Sequence, residues 1–482
     1  MFITERNKAI AVYALSILFL LLNQLLIVLG FIWFSIAPLI LLIVLLSLFS
    51  FDKLLFLCVF VTPLSVTLSQ LDIGTSISLP SEPLLLFVTI LFLFNQLYKS
   101  TFDRKAFSHP LTILILVHLA WLLLTSITSE MPVVSFKYLI SRLWFIIPCY
   151  FFLLELFKKP ENFGRFHWSY ILPLSIVIAF STIRLWLAGF DDEFSQSAMT
   201  PFYPNHTSYG AIITMFLPFI IFIGLKKGQS SWIKFGSGVL FLIFSIAIIL
   251  SYSRAVWLSI PTAGLLYLAL LLKIKFRSLL FVGLIFIGGL YSMKNEILIE
   301  LQKNKQDSSE ELVENFQSIS NISTDDSNTE RLNRWAAAIS MLKERPVFGW
   351  GPGTYQFQYA PFQSSANITL ISTNAGDLGN AHSEYISPLA ETGILGGILF
   401  GSIALYALYL GFSLVYQCNS LDIRLLTIST LLGLATYLTH GFLNNYLDSE
   451  KAAVPFWAFL AILTSIDLYH KSKLEVDVVN SN

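Results

Sequence analysis

The sequence predicts an all-α polytopic membrane protein with about 12–14 transmembrane helices and one long, partly helical extracytoplasmic loop. Of its 482 residues, 55% are hydrophobic and 12% are charged, whereas soluble domains carry about 25% charged residues. Apolar runs recur almost to the end of the chain, at lengths close to the roughly 20 residues that a bilayer span requires. A single hydrophilic stretch interrupts them, which indicates one large membrane domain rather than several soluble ones.

Fourteen apolar runs are candidate transmembrane helices. The third run is short, and the first two lie close together. If these runs do not all cross the membrane, the number of transmembrane helices falls to twelve. The run from Tyr385 contains Gly393, Gly396 and Gly397, and we expect it to bend or to begin as a short surface helix. The runs cover residues 8–27, 29–50, 53–69, 81–98, 109–128, 137–157, 167–188, 206–225, 232–251, 255–273, 277–294, 385–416, 422–442 and 452–470.

These runs and the hydrophilic stretch divide the chain into five predicted segments. The second segment contains the core helices and the hairpin Ser251-Tyr252-Ser253-Arg254. The segments are N-terminal transmembrane helices at 1–200, core helices at 201–294, the extracytoplasmic loop at 295–384, C-terminal transmembrane helices at 385–470, and a tail at 471–482.

The basic residues set the predicted orientation. Eighteen of the thirty lysines and arginines lie near the N-terminus, in alternate connections or in the tail, and the positive-inside rule assigns such segments to the cytoplasm. The opposite connections are acidic or polar, as in Asp191-Asp192-Glu193. We therefore expect both termini in the cytoplasm and the loop 295–384 on the outer face. The first apolar run lacks a small-residue cleavage site and is expected to remain as a span.

Charge and cysteine content exclude several classes of function. The formal net charge is zero, which gives no support to nucleic-acid binding. Cys58, Cys149 and Cys418 lie in or beside apolar runs without any CxxC or Cys/His pattern, so neither disulfides nor a zinc site is predicted. The sequence contains no evident acidic metal cluster, and we expect no cofactor.

The hydrophilic loop contains a predicted amphipathic helix with two arginines on one face. Ser327 and Glu330 have the spacing of a capping box, apolar residues follow at helical period, and Pro346 stops a helix from about 329 to 345. Arg331 and Arg334 then lie in its first turn, where the helix dipole disfavours cations. A bound diphosphate would remove this conflict. The alternative is that they are solvated surface arginines or partners of Asp325 and Glu330.

Other polar residues are predicted to share the outer face. Arg254 lies between two apolar spans, so it either binds an anion or anchors the helix at the interface. His382 lies where the loop re-enters the membrane, and a lone histidine of this kind is more often structural than catalytic. The turn 349–353 is a rigid connection or, less commonly, a phosphate cradle. Asn205 and His206 either form a helix cap with a hydrogen-bonded histidine or contact substrate, and Arg184 and His440 are weaker candidates for substrate contact.

Five spaced motifs together resemble the O-antigen ligase and O-antigen polymerase superfamily. The resemblance covers roughly residues 200–470, whereas the first 200 match only in being membrane-spanning. Ser383 is a departure, because many relatives have asparagine there. The motifs are Ser251-x-Ser253-Arg254, Arg331-x-x-Arg334-Trp335, Gly349-x-Gly351-Pro352-Gly353, Ala381-His382 and Glu391-Thr392-Gly393-x-x-Gly396.

The resemblance implies transfer of a glycan from undecaprenyl diphosphate to an acceptor hydroxyl on the periplasmic side of the bacterial inner membrane. His382 matches the essential loop histidine of the family and is the implied general base. The substrate-binding arginines match Arg254 and one of Arg331 and Arg334. The implied partners are a polyprenyl-diphosphate-linked glycan donor, an acceptor that is a glycolipid of the lipid A-core type, a glycan or a protein, and the lipid bilayer. We expect no requirement for metal or ATP.

Three alternatives remain open at this point. A polysaccharide polymerase or a protein O-oligosaccharyltransferase would keep the chemistry and change the acceptor. A lipid or polysaccharide transporter is more remote, because it predicts internal repeats and ionisable groups near the bilayer midplane. No convincing repeat is evident, and the distinctive cations lie at predicted helix ends.

Overall fold

The computed structural model describes residues 5–68, 77–99, 103–292, 326–363 and 379–471. Helices make up nearly all of the regular structure in these ranges, and the two described strands, of two residues each, form one antiparallel pair. Eleven described helices or continuous helical runs are long and apolar enough to cross a membrane. The predicted all-α polytopic membrane class is therefore confirmed. Of the predicted loop 295–384, residues 295–325 and 364–378 lie outside the described residues.

The number of long spans differs from the fourteen apolar runs for a simple reason. The runs 8–27 and 277–294 form the helices Glu5–Val28 and Phe276–Ser292, of which only the apolar stretches Ser16–Val28 and Phe276–Ile285 enter the count, and these are too short to be among the eleven. The run 53–69 forms only an eleven-residue helix, Phe51–Val61. That helix gives way to a 3-10 turn containing Pro63, whose missing N–H and steric effect on the preceding residue end an α-helix.

The chain divides into two units, residues 1–57 and 58–482. In the first unit, the Phe19 and Phe34 rings stack with centroids 5.4 Å apart, and the Ser35 hydroxyl donates to Asn23 Oδ1 at 3.0 Å. Its large apolar side chains are mostly exposed, as expected of a helical hairpin whose solvent is lipid. The elements are α1 (Glu5–Val28), a 3-10 turn (Ile32–Ile36), α2 (Ala37–Phe49) and the start of α3 (Phe51–Val61).

The second unit begins with a helical bundle that is extensively buried. Lys451 illustrates how its polar groups are satisfied, since its Nζ donates to the carbonyl oxygens of Thr62 at 2.5 Å and Ser65 at 2.7 Å. The elements are β1 (Val66–Thr67), β2 (Ser78–Leu79), α4 (Ser81–Lys99), α5 (Arg104–Phe107), α6 (Pro110–Ile127), α7 (Pro132–Ile146), α8 (Leu153–Leu156), α9 (Glu161–Leu187), α10 (Asp192–Ser195), α11 (His206–Leu225), α12 (Ser231–Ile249), α13 (Arg254–Leu271) and α14 (Phe276–Ser292).

The remaining helices contain the expected bend. Gly393 has φ +72° and ψ −175° inside the helix that follows the loop, a conformation that glycine tolerates and residues with a side chain rarely adopt. The prediction that the run from Tyr385 bends is therefore confirmed. The elements are α15 (Asp326–Glu344), α16 (Tyr355–Gln358), a 3-10 turn (Ala360–Phe362), α17 (Ser387–Gln417), α18 (Leu421–His440) and α19 (Glu450–Ser465).

The described part of the hydrophilic loop folds around a small core of its own. The Trp350 indole donates to the Met341 carbonyl at 3.1 Å, and Tyr355 stacks on Tyr359 with centroids 5.1 Å apart. The core also includes Ala390, so α15 and α16 pack against the start of α17. The core consists of Ala338, Met341, Trp350, Tyr355, Tyr359, Ala381 and Ala390.

The glycine-rich turn fastens this core to the membrane helices. The backbone N–H groups of Trp350 and Gly351 donate to the carbonyls of Ala390 at 3.0 Å and Glu391 at 2.8 Å. Gly349 has φ +68°, and a Cβ added there would overlap the backbone of Glu391. These N–H groups are thus engaged within the protein, which favours the structural interpretation of the turn over a phosphate cradle.

Candidate functional site

The conformation of His382 is set by the residue two positions before it. His382 has φ +48°, in the left-handed region that Asn, Asp and His enter more readily than most residues. Its backbone N–H donates to Asn380 Oδ1 at 3.0 Å, and its side chain is half-buried. A short side-chain-to-backbone turn therefore presents the imidazole at the end of the loop.

Arg334 holds that turn in place. Its Nη1 donates to the Asn380 carbonyl at 3.1 Å, and its Nε pairs with Glu330 Oε1 at 2.5 Å. The guanidinium lies 5.0 Å from the centroid of the Tyr359 ring and is almost completely buried. Two of its donors are thus engaged by the protein, in agreement with the alternative of a Glu330 partner.

The position of the two arginines in their helix corrects one part of the sequence argument. The helix covers Asp326–Glu344, three residues earlier at its start than expected. Arg331 and Arg334 therefore lie in its second and third turns, not in the first. The predicted conflict with the helix dipole does not arise for them, because that effect fades beyond the first turn.

Arg331 lies close enough to several candidate residues for its charge to affect them. It acts electrostatically on His382, His440 and Tyr446. Burial, followed by the charges of Arg334 and Arg331, lowers the pKa of His382 to about 3, because nearby cations and loss of water both disfavour imidazolium. His382 is therefore neutral at physiological pH and able to accept a proton.

His440 ends α18 close to this group of residues. Its side chain is buried, and its Nδ1 lies 3.5 Å from the Asn444 amide nitrogen. If the amide donates to Nδ1, the proton of neutral His440 lies on Nε2. Within the described residues, that Nε2 is buried and has no hydrogen-bond partner. A substrate oxygen would satisfy it.

Tyr446 connects the end of α18 to the start of α11. Its hydroxyl hydrogen-bonds to Thr207 Oγ1 and lies 3.5 Å from Asn205 Oδ1. Asn205 is the N-cap of α11 and accepts from the Ser208 N–H at 2.9 Å. The sequence interpretation of Asn205 as a helix cap is consistent with this geometry. Burial raises the pKa of Tyr446 to about 12, so its hydroxyl stays protonated.

His206 links the start of α11 to the turn before α13. Its Nδ1 lies 2.6 Å from the Ser251 carbonyl, so Nδ1 carries the proton and Nε2 is an acceptor when the ring is neutral. His206 also acts electrostatically on His440. The same end of the bundle thus holds the starts of α11 and α13 together with the end of α18.

The start of α13 has features of an anion-binding helix terminus. Arg254 is its first residue, and its N-cap Ser253 forms no side-chain capping hydrogen bond. The Ser253 hydroxyl is buried and has no hydrogen-bond partner among the described residues. Helix N-termini favour anions through their N–H groups and dipole. The Ser-x-Ser-Arg sequence therefore assembles an N-terminus, a hydroxyl and a guanidinium.

Arg184 lies outside this constellation. Its Nη1 donates to the carbonyls of Thr200 at 2.5 Å and Ala198 at 3.1 Å, and its guanidinium lies between the Phe180 and Phe194 rings. These contacts fasten the segment after α10 to α9. We infer a structural role for Arg184 instead of the substrate contact considered from sequence.

Glu384 organises the segment that carries His440 and Tyr446. Its Oε1 accepts from the Tyr437 hydroxyl at 2.7 Å and from the backbone N–H groups of Tyr446 at 2.7 Å and Leu447 at 2.9 Å. Burial, then the charge of Asp448, raises the pKa of this carboxyl to about 7. No sequence pattern indicates a role for Glu384, because its three partners lie more than fifty residues away.

Arg142 was also missed, although its sequence carries a signal. It lies inside an apolar span, where ionisable residues mark functional or tightly paired positions. Its guanidinium donates to Asp448 and the Leu447 carbonyl and to the Tyr138 hydroxyl at 2.5 Å. Together with Glu384 it lines a small cavity. Arg142 thereby fastens α7 to the segment that Glu384 organises.

The motif-bearing region also matches a known family. Residues 239–401, about a third of the chain, match the family model described as O-antigen ligase. The resemblance to the O-antigen ligase and polymerase superfamily is thus confirmed. The match includes Arg254, Arg331, Arg334 and His382, but not His206 or His440. No curated protein matches the chain.

The O-antigen ligase match supports a glycan-transfer function in general. In that family setting, the substrates are glycans and lipid-linked molecules handled at a membrane, which fits a chain with eleven candidate spans. The match by itself specifies neither the donor nor the roles of individual residues. Those assignments depend on the local chemistry of the site.

Proposed function

We propose that the chain transfers a glycan from a polyprenyl diphosphate donor to an acceptor hydroxyl, with His382 as general base. The observation that carries this proposal is the O-antigen ligase match over residues 239–401, which contains Arg254, Arg331 and the half-buried His382 at the end of the loop. A phosphate leaving group requires a cation and an attacking hydroxyl requires a base. In this proposal Arg331 supplies the cation and His382 the base.

The diphosphate is assigned to Arg331 and the start of α13. Arg254, the buried Ser253 hydroxyl and the first-turn N–H groups of α13 offer donors to phosphate oxygens. Arg331 supplies a second cation near His382 and His440. Arg334 is assigned a positioning role, because its contacts with Glu330 and Asn380 hold the His382 turn.

The reaction is proposed as a single displacement. The acceptor oxygen forms a bond to the anomeric carbon, its proton passes to His382, and the bond from that carbon to the diphosphate oxygen breaks. The electron pair of the broken bond remains on polyprenyl diphosphate, where the arginines stabilise it. The products are the glycosylated acceptor and polyprenyl diphosphate, and the configuration at the anomeric carbon inverts.

Donor binding is expected to strengthen the base. In the free protein, burial and the two arginines hold the pKa of His382 at about 3, which makes the ring a weak base. A bound diphosphate adds negative charge beside the same arginines and favours imidazolium. The pKa of His382 therefore rises when the donor is present, so that proton removal is coupled to a loaded site.

The location and the acceptor complete the proposal. From the distribution of basic residues, we place the site on the periplasmic face of the bacterial inner membrane, with both termini in the cytoplasm. The acceptor is proposed to be a glycolipid of the lipid A-core type. Transfer to a growing glycan would instead identify a polymerase, and transfer to protein an O-oligosaccharyltransferase.

The test is transfer by purified, reconstituted protein, with His382→Asn as the decisive variant. Asparagine tolerates the left-handed backbone at this position but supplies no base, so we expect the rate to fall by about 10²–10⁴. His382→Gly accommodates the same φ, and added imidazole should restore part of its activity. The assay is run with EDTA and without ATP, and wild-type transfer is expected to persist.

The three acceptor classes are offered separately with the same polyprenyl-diphosphate glycan. Near-wild-type rates for His382→Asn would reject the base assignment. Loss of wild-type activity in EDTA with recovery on adding a divalent metal would reject the metal-independent mechanism. Absence of transfer to every acceptor class would reject the proposed function itself.

A further inference from the structure

A small cavity lies inside the second unit, where several of its elements meet. Its wall comprises residues of α6, α7, α17 and α19, together with Glu384 and the segment between α18 and α19. The cavity volume is about 40 Å³. Since a water molecule needs about 10–15 Å³ of such space, the cavity has room for about two or three of them. A sugar ring or a lipid chain would not fit.

Three residues on this wall each contain a buried polar atom that has no hydrogen-bond partner among the described residues. These atoms are His118 Nδ1 on α6, Asn445 Oδ1 before α19 and Trp457 Nε1 on α19. All three residues are more than nine-tenths buried. An unpaired donor or acceptor in such surroundings destabilises a fold, and native proteins commonly satisfy these atoms with buried water.

The chemistry of the three atoms indicates which kind of molecule would satisfy them. The Trp457 indole N–H can only donate, Asn445 Oδ1 can only accept, and His118 Nδ1 does one or the other according to its tautomer. A ligand that serves the first two must accept one hydrogen bond and donate another. Water does both and is small enough for the cavity.

The charged side chains on the wall already have partners within the protein. Asp448 pairs with the Arg142 guanidinium. Glu384 Oε1 accepts three hydrogen bonds, and Glu391 Oε1 accepts one from a backbone N–H at 3.1 Å. A bound cation would find these oxygens engaged and would leave the Trp457 N–H without an acceptor. A neutral ligand is therefore favoured over an ion.

We propose that this cavity is a binding site for ordered water, which hydrogen-bonds to His118, Asn445 and Trp457. The inference is independent of the proposed function, because none of these three residues is assigned to the donor or the acceptor. Asn445 directly precedes Tyr446, whose hydroxyl reaches the start of α11. Bound water thus links this segment through His118 to α6 and through Trp457 to α19.

The first test detects bound water by X-ray radiolysis of the purified protein in detergent. Hydroxyl radicals formed from a bound water molecule oxidise the side chains beside it, even where radicals from the bulk solvent have no access. We therefore expect oxidation of His118 and Trp457, measured by mass spectrometry, that a radical scavenger in the bulk solvent does not suppress. Absence of this oxidation would overturn the water site.

His167 is the matched control for His118. It is fully buried, and its Nε2 likewise has no partner within the part of the chain that the structure describes. It does not line the cavity. Its scavenger-resistant oxidation should be much weaker than that of His118. Equal oxidation of the two histidines would show that the cavity is not special and would reject the proposal.

Two variants add a measurement whose sign differs between a hydrated and a dry cavity. His118→Phe and Asn445→Leu each remove a polar partner of the water, so the melting temperature and the oxidation of Trp457 should both fall. In a dry cavity, either change would remove an unpaired buried polar atom and raise the melting temperature. Such a rise would contradict bound water. If neither variant folds, the comparison of His118 with His167 in the wild type still decides.

A comparison of salts separates water from a bound cation. A sodium ion in the cavity would raise the melting temperature when sodium chloride replaces choline chloride at constant ionic strength. We expect the wild type to melt at the same temperature in the two salts. A clear stabilisation by sodium would identify a cation site and overturn the assignment to water.

Discussion

Among individual residues, Arg331 and Arg334 have different surroundings although they are one helical turn apart. Arg334 is buried against Glu330, Asn380 and Tyr359, whereas Arg331 is half-buried and acts on His382, His440 and Tyr446. If Arg334 mainly positions the loop and Arg331 mainly binds the diphosphate, as proposed, the two should respond differently to substitution. This contrast provides a test of the two assignments.

We predict that Arg331→Gln lowers kcat/KM about 10- to 100-fold without lowering the melting temperature, because a hydrogen bond to a charged group contributes about 1.5–3 kcal/mol. Removing this cation also raises the pKa of His382 from about 3. Because kcat/KM reports the free enzyme, its acid limb should move to higher pH. Measurement of kcat/KM against pH for the wild type and the variant checks this.

Two further variants provide the comparison for Arg331. Arg334→Gln should lower the melting temperature as well as kcat, since it leaves Glu330 buried without its cation. Lys343→Gln, an exposed cation on the same helix, should change neither quantity. If Arg331→Gln melts as early as Arg334→Gln, Arg331 is structural and the diphosphate must depend on other groups.

Sequence reasoning located the candidate cations and the loop histidine but not the residues that position them. Arg254 was recognisable as a cation between apolar spans and Arg331 as a cation on a predicted helix face, whereas His382 was identified mainly by the family resemblance. Glu384 and Tyr446 were not, since their significance comes from partners that the fold brings together. A buried hydrogen-bond network across sixty residues or more leaves no spacing pattern in one sequence.

Among the elements, the glycine-rich turn is the one whose sequence requirement is most direct. Gly349 has φ +68° and packs against the backbone of Glu391. We predict that Gly349→Ala destabilises the protein by at least about 1–3 kcal/mol, because the strained backbone and the overlap act together. The melting temperature in detergent should fall clearly, with a parallel loss of activity as the loop core separates from α17.

Gly401→Ala is the control for this prediction. Gly401 lies within α17, and an added Cβ meets no atom within 4 Å. Alanine there should be neutral or stabilise by about 0.5–1 kcal/mol through its better helix propensity. A Gly349→Ala protein that melted with the Gly401→Ala protein would show that the turn tolerates a side chain and is not a fixed anchor.

Elements were predicted well where composition and a boundary signal agreed. The run 206–225 matches α11 to the residue, because Asn205 caps its start and lysines follow its end. The run 53–69 does not form one continuous helix. Its apolar composition predicted a span, but a turn with Pro63 and a short strand follow the helix. Hydropathy measures affinity for lipid or for a protein core, and it does not distinguish a span from a buried partial helix.

Across the second unit, the proposed function requires residues of the helices and of the loop to meet at one end of the helices. The helices α11, α13 and α18 contribute His206, Arg254 and His440, and the loop contributes Arg331 and His382. A periplasmic reaction requires this end to face the periplasm.

We therefore predict that Lys343→Cys reacts with a membrane-impermeant maleimide in intact spheroplasts, whereas Lys227→Cys reacts only after permeabilisation. Both lysines are exposed, on the loop helix and on a predicted cytoplasmic connection. The native Cys58, Cys149 and Cys418 are buried, so the wild type should give little background. The reverse labelling pattern would place the loop in the cytoplasm, where a reaction on outward-facing lipid-linked glycans has no access to its donor.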